Sequence, residues 1–497
     1  MIRRILIANR GEIALRIMRA CRMLGLTSVF VYPPDVDARL ECYSADEAYC
    51  SQGTLNPNDL YLNGEYILEL CRTYAIDAVH PGYGFLAEHA GFAEECKQAG
   101  IIFIGASAAT LVQTGDKVQA KSIATSLSIP TLLSSKVLPS KEVLYNELKH
   151  FPLPALLKAT NGGGGKGIGV IRTVKEAMEM YEKCFQQANA FFGIGDLYLE
   201  KSIQKVKHIE IQIARDVTGK TVYFPERDCS VQRHHQKLIE ESPAPSLHPS
   251  LHTILAQASS VLVEAVQLVG VATVEFLVRG KEYYFLEINP RIQVEHGVTE
   301  EVTGVDLVQL QILIACGQPI AIEQEDIKVL KHVIQCRILA EDPTDNFSPS
   351  YGTLTQYKAP GGFGVRVDDG VYPGMQIQPY FDSLLAKLIT FGDTREEALL
   401  RMRGALKEYL IQGVDTTVAL LREIIDHPEF FSGSHTTSFI DLHDWSLQPP
   451  DMMDMSLSKP HSEEVLIAEV VAEVYRQQTL NISAPKPLSQ WKTLEGF

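Results

Sequence analysis

Between Leu286 and Glu295 the chain carries Glu287, Asn289, Arg291, Gln293 and Glu295 at alternate positions, with Leu286, Ile288, Pro290, Ile292 and Val294 between them. Alternate residues of a strand share a face. An extended segment here packs its apolar side on a core and presents two carboxylates, two amides and a guanidinium together, the makings of an active-site floor. The run Ala272 to Val278, followed by Arg279-Gly-Lys-Glu282, reads as the first arm of a β-hairpin that ends in this comb. A three-residue loop at Gly280 to Glu282 pairs Val274 with Ile288, Phe276 with Leu286 and Val278 with Tyr284, and it sets Glu275 opposite Glu287. Like charges across a ladder repel, so the arrangement makes sense with a cation between them. With Asn289 on the same face, the all-oxygen set favours Mg²⁺ or Mn²⁺ bridging to phosphate over zinc. An amphipathic hairpin with a solvated acidic face is the alternative.

Other clusters suit anions. Lys117 and Lys121 are one helical turn apart, and Lys158 precedes Thr160-Asn-Gly-Gly-Gly-Gly-Lys-Gly-Ile-Gly169, where six glycines in ten positions exclude a helix. Such a loop brings backbone N–H groups close to phosphate, but it lacks Walker spacing; a flexible linker is the other reading. Leu197-Tyr-Leu-Glu-Lys-Ser-Ile203 is a short strand ending in polar groups, of the kind that reads a nucleotide base through backbone atoms. His208 lies on the alternating run Lys207 to Ile213, and Gln232-Arg-His-His-Gln-Lys237 is a basic stretch. His234 and His235 on a strand point to opposite faces, and no cysteine pair accompanies them, so an anion-facing cluster or a solvated basic edge is preferred to zinc.

The elements that must position these groups begin with a strand at Arg4 to Ala8, a helix at Glu12 to Leu24 and a strand at Ser28 to Tyr32. Strand-like pieces at Ala78-Val79 and Ile101 to Ile104 complete a parallel α/β sheet over about the first 110 residues. The loop His80-Pro-Gly-Tyr-Gly-Phe-Leu86 follows a strand, where ligands commonly bind in open sheets. The chain has 497 residues, 45% of them hydrophobic, enough for about three domains. A net charge of −16 disfavours nucleic acid as a non-specific partner. Nine cysteines without a CxxC pair argue against a disulfide framework and favour a reducing, cytoplasmic setting. The N-terminal apolar run is too short for a signal peptide, and the most apolar long window, Val261 to Val278, contains Glu264, Gln267 and Glu275, so no membrane span is expected. After Trp445 the composition shifts to a linker and an amphipathic helix at Ser462 to Gln478.

Lys117, Lys158, the glycine loop, Glu200-Lys201, the basic cluster and the paired acids occur in an order that resembles the ATP-grasp superfamily. Ile7-Ala-Asn-Arg-Gly-Glu-Ile-Ala14, His80 to Leu86, Glu226-Arg-Asp-Cys-Ser-Val-Gln-Arg233, Arg291-Ile-Gln-Val-Glu-His296 and Ala340-Glu-Asp-Pro343 together resemble biotin carboxylase over about residues 2 to 440. The resemblance implies an α/β and α+β chain: a Rossmann-like N-terminal domain at 1–114, an ATP-grasp domain at 115–325 with a mobile glycine-rich lid at about 130–203, a C-terminal domain at 331–440 and a tail at 445–497. It implies ATP-dependent carboxylation of biotin with bicarbonate, through carboxyphosphate, as the first half-reaction of an acyl-CoA carboxylase. By the same resemblance, ATP is bound by Lys117, Lys158, Gly164, Gly165, Glu200, Lys201, Ile203, His208, Gln232 and His235. Glu275, Glu287 and Asn289 hold Mg²⁺ or Mn²⁺, and Lys237, Arg291, Gln293 and the Val294 backbone hold bicarbonate. Glu295 is the base, with a pKa that Arg291 beside it should lower; Arg337 stabilises the biotin enolate, and Tyr83-Gly84 contact its ureido ring.

No Met-Lys pair occurs in the chain, so biotin is expected on a separate carrier protein or domain, with a carboxyltransferase as further partner and a homodimer or larger complex as the assembly. Pro290, Gly297 and Gly169 stand where threonine, proline and arginine are usual, and Gln335 and Leu339 replace polar residues around Arg337. Two other readings share the ATP machinery: a different ATP-grasp ligase, and a non-catalytic nucleotide-binding scaffold of a carboxylase complex.

Overall fold

The computed structural model describes residues 2–34, 36–51, 57–160, 167–192, 196–234, 236–445 and 447. The expected tail helix at 462–478 and the glycine-loop residues 161–166 lie outside the described residues. The chain opens on β1 (Arg4–Ile7), whose Ile5, Leu6 and Ile7 are fully buried. The following helix, Gly11–Met23, buries Ile13, Ala14, Ile17, Ala20 and Cys21 along one face, the spacing of an amphipathic helix on a sheet. β2 (Thr27–Tyr32), β3 (Glu47–Cys50), β4 (Ala78–His80) and β5 (Ile102–Phe103) complete a parallel sheet of order β3-β2-β1-β4-β5.

The loops leaving β1 and β4 are tied at the carboxyl ends of these strands, because the Asn9 amide donates to the carbonyls of Pro81 (2.7 Å) and Tyr83 (2.8 Å). Gly82 has φ +63°, and a Cβ there would come within 2.9 Å of Asn9 Nδ2. Only glycine meets both demands.

A smaller antiparallel sheet follows, β7-β6-β8, made of β6 (Ala155–Ala159), β7 (Ile168–Ile171) and β8 (Leu197–Lys201). It has its own core, in which Leu157, Ile171, Leu197 and Leu199 meet Ala177, Tyr181 and Cys184 of the helix Val174–Phe192. A Cβ at Gly169 would fall 2.5 Å from Met180 Cγ, so Met180 takes the space beside this position and accounts locally for the glycine.

The remaining sheet is antiparallel and carries most of the chemistry. Its strands are β9 (Lys207–Arg215), β10 (Thr221–Tyr223), β11 (Arg227–Arg233), β12 (Gln236–Ser242), β13 (Gly270–Arg279), β14 (Glu282–Asn289) and β15 (His332–Leu339), continued by strands Leu384–Gly392 and Val365–Asp369. The order is β14-β13-β9-β11-β12-β15 and then those two, with β10 beside β9.

The hairpin β13/β14 pairs Val274 with Ile288 and Glu275 with Glu287, as the alternation predicts. The rest of the expected register is overturned. Arg279 pairs with Glu282 across a two-residue turn at Gly280-Lys281, and Phe276 pairs with Phe285. Gly280 at φ +62° permits the tight turn, and the extra residue is absorbed as a bulge at Leu286. Phe285 is therefore buried while Leu286 is half-buried.

The comb is also not a strand to its end. β14 stops at Asn289, because Pro290 cannot donate to a ladder. Likewise, His234 does not sit on a strand: it lies in the turn that joins β11 and β12, with φ +49°.

Candidate active site

Three carboxylates line up across adjacent strands, since Glu210 on β9 is opposite Glu275 on β13, which is opposite Glu287 on β14. Such a row is stable only with cations against it. Lys237 supplies one: its ammonium lies 2.6 Å from Glu210, 3.0 Å from Glu275 and 2.6 Å from Glu295. Burial pushes this ammonium down in pKa, and the three carboxylates more than reverse it, holding it well above the usual lysine range. Lys117 donates to Glu287 at 2.6 Å. His208 Nε2 lies 2.7 Å from Glu275 Oε2, and Gln232 reaches the other ring nitrogen of His208 at 3.3 Å.

Beyond β14 the chain turns. His296 takes the Gln293 carbonyl through its backbone N–H at 3.2 Å and its ring nitrogen at 2.7 Å, and Glu295 becomes the residue before the helix His296–Thr303. The amides of Asn289 and Gln293 both donate to Glu275 Oε1 at 2.9 Å. Asn289 and Gln293 of the polar comb therefore converge on Glu275 as the alternation predicts, although a turn rather than a strand delivers the second of them. A Cβ at Gly297 would fall 2.7 Å from Ile389 Cδ1, so the core beneath the turn leaves no room for a side chain there without movement of Ile389.

Glu295 receives Lys237 on one oxygen and Arg337 Nη2, at 2.9 Å, on the other. Burial raises this carboxyl, and Lys237, Arg337 and Arg227 together hold it far below the usual carboxylate range. Arg291, the expected cation, also attracts Glu295, but Lys237, Arg337 and Arg227 are the leading causes of the lowering. Because the backbone turns after Pro290, the Arg291 guanidinium points elsewhere: it lies 3.5 Å from Glu88 and reaches the carbonyl of Ile292 at 3.2 Å and Asn289 Oδ1 at 3.4 Å. Val294 is half-buried beside it.

On the lid side, Lys158 of β6 and Lys121 both pair with the buried carboxylate of Glu200 on β8. Lys201 is exposed and Ile203 half-buried just past the strand. Gly164, Gly165 and His235 lie outside the described residues. On the opposite side, the Tyr83 hydroxyl donates to Glu12, whose other oxygen is 2.8 Å from the fully buried Lys387. Burial and Glu12 push this hydroxyl well up in pKa, while Arg337 opposes them. Gly84 is exposed beside it, with φ +69°.

Several participants were not singled out from the sequence. Glu210 begins the carboxylate row and Arg227 donates to it. Glu240 takes Arg337 Nε at 2.6 Å and Gln335 Nε2 at 2.9 Å, which gives Gln335 a use, whereas nothing in the structure explains Leu339. Glu12 and Lys387 back Tyr83. A signal for Glu210 existed: His208, Glu210 and Gln212 alternate on a run whose intervening residues are isoleucines, a polar face that mirrors the comb.

The oxygens of Glu275, Glu287 and Asn289 form a hard donor set whose charge Lys117 and Lys237 offset, and this fits Mg²⁺ or Mn²⁺. A small antiparallel sheet carrying Lys158, paired through Glu200 with Lys121 of a neighbouring helix, beside an antiparallel sheet with a row of acids is the ATP-grasp architecture. Residues 116–323 match the family model of the carbamoyl-phosphate synthase L chain ATP-binding domain, residues 1–111 that of the biotin carboxylase N-terminal domain and residues 335–442 that of the biotin carboxylase C-terminal domain.

Biotin carboxylase 1 of Bacillus subtilis is 44% identical over 447 residues, covering 89% of this chain and 99% of that one. The crystal structure of the biotin carboxylase domain dimer of Hydrogenobacter thermophilus 2-oxoglutarate carboxylase, with MgADP, ADP and bicarbonate, superposes with a TM-score of 0.86 at 42% identity, covering 89% of this chain and 98% of that one. Pyruvate carboxylase of B. subtilis is 42% identical, and there the match spans 39% of the relative. The chain belongs to the biotin carboxylase family, whose members are ATP-dependent ligases. No helix among the described residues is long and apolar enough to cross a membrane.

Proposed function

We propose that this chain carboxylates biotin on a separate carrier protein or domain, and that a carboxyltransferase partner then passes the carboxyl group to an acceptor. The observation that carries the reading is the meeting of Glu295 with Lys237 and Arg337 at the end of the carboxylate row. Bicarbonate binds at Lys237, Arg291, Gln293 and the Val294 N–H, where the guanidinium offers a planar fork to its oxygens. ATP lies between the lid and the large sheet, on Lys117, Lys158, the Gly164-Gly165 backbone, Glu200, Lys201, Ile203, His208, Gln232 and His235.

Glu275, Glu287 and Asn289 hold the divalent ion, which when bound supplies charge stabilisation to the phosphates. Glu295 removes the bicarbonate proton as the bicarbonate oxygen takes the γ-phosphoryl group and ADP leaves, a transfer governed by positioning and electrostatics. Carboxyphosphate then releases CO₂ and phosphate, and the phosphate takes the ureido proton of biotin. Tyr83 and Gly84 seat the ring, and Arg337 stabilises the enolate, which attacks CO₂. Bicarbonate competes with Glu295 for Lys237, so its binding itself strengthens the base. Residues 1–114, 115–325 and 331–440 serve as separate domains in this scheme, the lid closes over ATP, and the assembly is a homodimer or part of a larger carboxylase complex.

The test is ATP cleavage by purified protein with Mg²⁺, with bicarbonate and free biotin each present or withheld. Cleavage that requires both substrates is expected. Cleavage with bicarbonate and no response to biotin would point to another carboxyphosphate-forming ligase, and cleavage under no condition would favour a scaffold.

A further inference from the structure

Arg227 on β11 heads the fully buried side chains by size among the described residues, and its pull on Glu295 is not its only link to the site. Its Nε donates to Glu210 Oε1 at 2.5 Å, Nη1 to Gln212 Oε1 at 2.9 Å and Thr299 Oγ1 at 2.8 Å, and Nη2 to Thr273 Oγ1 at 3.1 Å and Gln293 Oε1 at 3.0 Å. Five acceptors meet the five N–H donors of a guanidinium.

A guanidinium only donates, so an amide beside it must present its oxygen. Gln293 does, and its NH₂, the group that the proposed site offers to bicarbonate, is thereby turned the other way, donating to Glu275 at 2.9 Å. The same guanidinium holds one oxygen of Glu210 while the other receives Lys237 at 2.6 Å.

We propose that Arg227 is a positioning residue for the bicarbonate site: it fixes the sense of the Gln293 amide and, through Glu210, the seat of Lys237. This rests on the reading that Gln293 and Lys237 hold bicarbonate. Lysine cannot substitute, because an ammonium has three donors and no fork.

The experiment measures steady-state ATP cleavage at varied bicarbonate and varied ATP for Arg227→Lys, Gln293→Ala and the double variant. Arg227→Lys is expected to raise KM for bicarbonate about tenfold and to leave KM for ATP within about twofold, the scale of one misdirected polar contact. Adding Gln293→Ala to Arg227→Lys should then cost much less than Gln293→Ala costs alone, since the two share one interaction. If Gln293→Ala leaves KM for bicarbonate unchanged, the site reading fails and the positioning role falls with it. If Gln293→Ala raises that KM but Arg227→Lys does not, or raises both KM values equally, the positioning role alone is overturned.

Because Arg227→Lys alters a buried charge, Thr299→Val provides a milder variant that removes one acceptor of Arg227. It should raise KM for bicarbonate about two- to threefold with KM for ATP unchanged, as expected for one neutral hydrogen bond. Should Arg227→Lys not fold, an unchanged KM for bicarbonate in Thr299→Val overturns the proposal.

Discussion

Glu295→Gln is expected to lower bicarbonate-dependent ATP cleavage by about 10²–10⁴-fold, the range of a general base, while ATP binding measured by calorimetry stays within about twofold because no phosphate-side contact changes. The amide has nearly the shape of the carboxylate, and Lys237 keeps Glu210 and Glu275 as partners at 2.6 and 3.0 Å, so the variant should fold. Unchanged turnover would remove Glu295 from the mechanism. The pH profile offers a second check. The carboxyl of the free protein is held far below its usual range, so Glu295 is ionised throughout the neutral region and imposes no acid limb on kcat/KM above about pH 5. A limb seen between about pH 6 and 8 belongs to another group.

The sequence made this site legible wherever local periodicity coincided with a real element. The facing pair Glu275 and Glu287, the strand-helix-strand opening and the loop after β4 were all readable, because each depends on neighbours within a hairpin or one α/β unit. What escaped depended on partners far away in the chain. The cation that lowers Glu295 most is not its sequence neighbour Arg291 but Lys237, fifty-eight positions away, aided by Arg337. Alternation read through Pro290 brought Asn289, Gln293 and Glu295 together from the wrong backbone, because a turn pinned by His296 replaces the missing strand and turns Arg291 toward Glu88. The bulge at Leu286 was invisible because either loop length leaves Glu275 facing Glu287. Arg227 sat inside a quoted motif, but only the packed sheet reveals that every one of its donors is used.

The most severe combined loss should come from Lys237→Met. Its ammonium is the shared partner of Glu210, Glu275 and Glu295, so its removal deletes a bicarbonate ligand and leaves three buried carboxylates short of a cation. Removing one partner from a buried ion pair costs about 3–5 kcal/mol, and activity should fall below detection. The loss of stability carries a definite dependence on pH. In the wild type, Glu275 and Glu295 titrate below their unfolded values. Their stabilisation is therefore present above about pH 4.3 and disappears as pH falls through the lower folded values. Without Lys237, the lowering loses its largest attractive contribution while burial still favours the neutral acid. Stability then declines as pH rises through the shifted carboxyl range, since the folded state must either ionise unpaired carboxylates or keep protons that the unfolded chain releases. The gap in melting temperature between wild type and Lys237→Met should accordingly widen from pH 5 to pH 8 in thermal unfolding. A gap that is constant or narrows over that interval would mean that the carboxylates draw their compensation from Arg227, Arg337 and His208 instead, and that Lys237 is held at the site for bicarbonate alone.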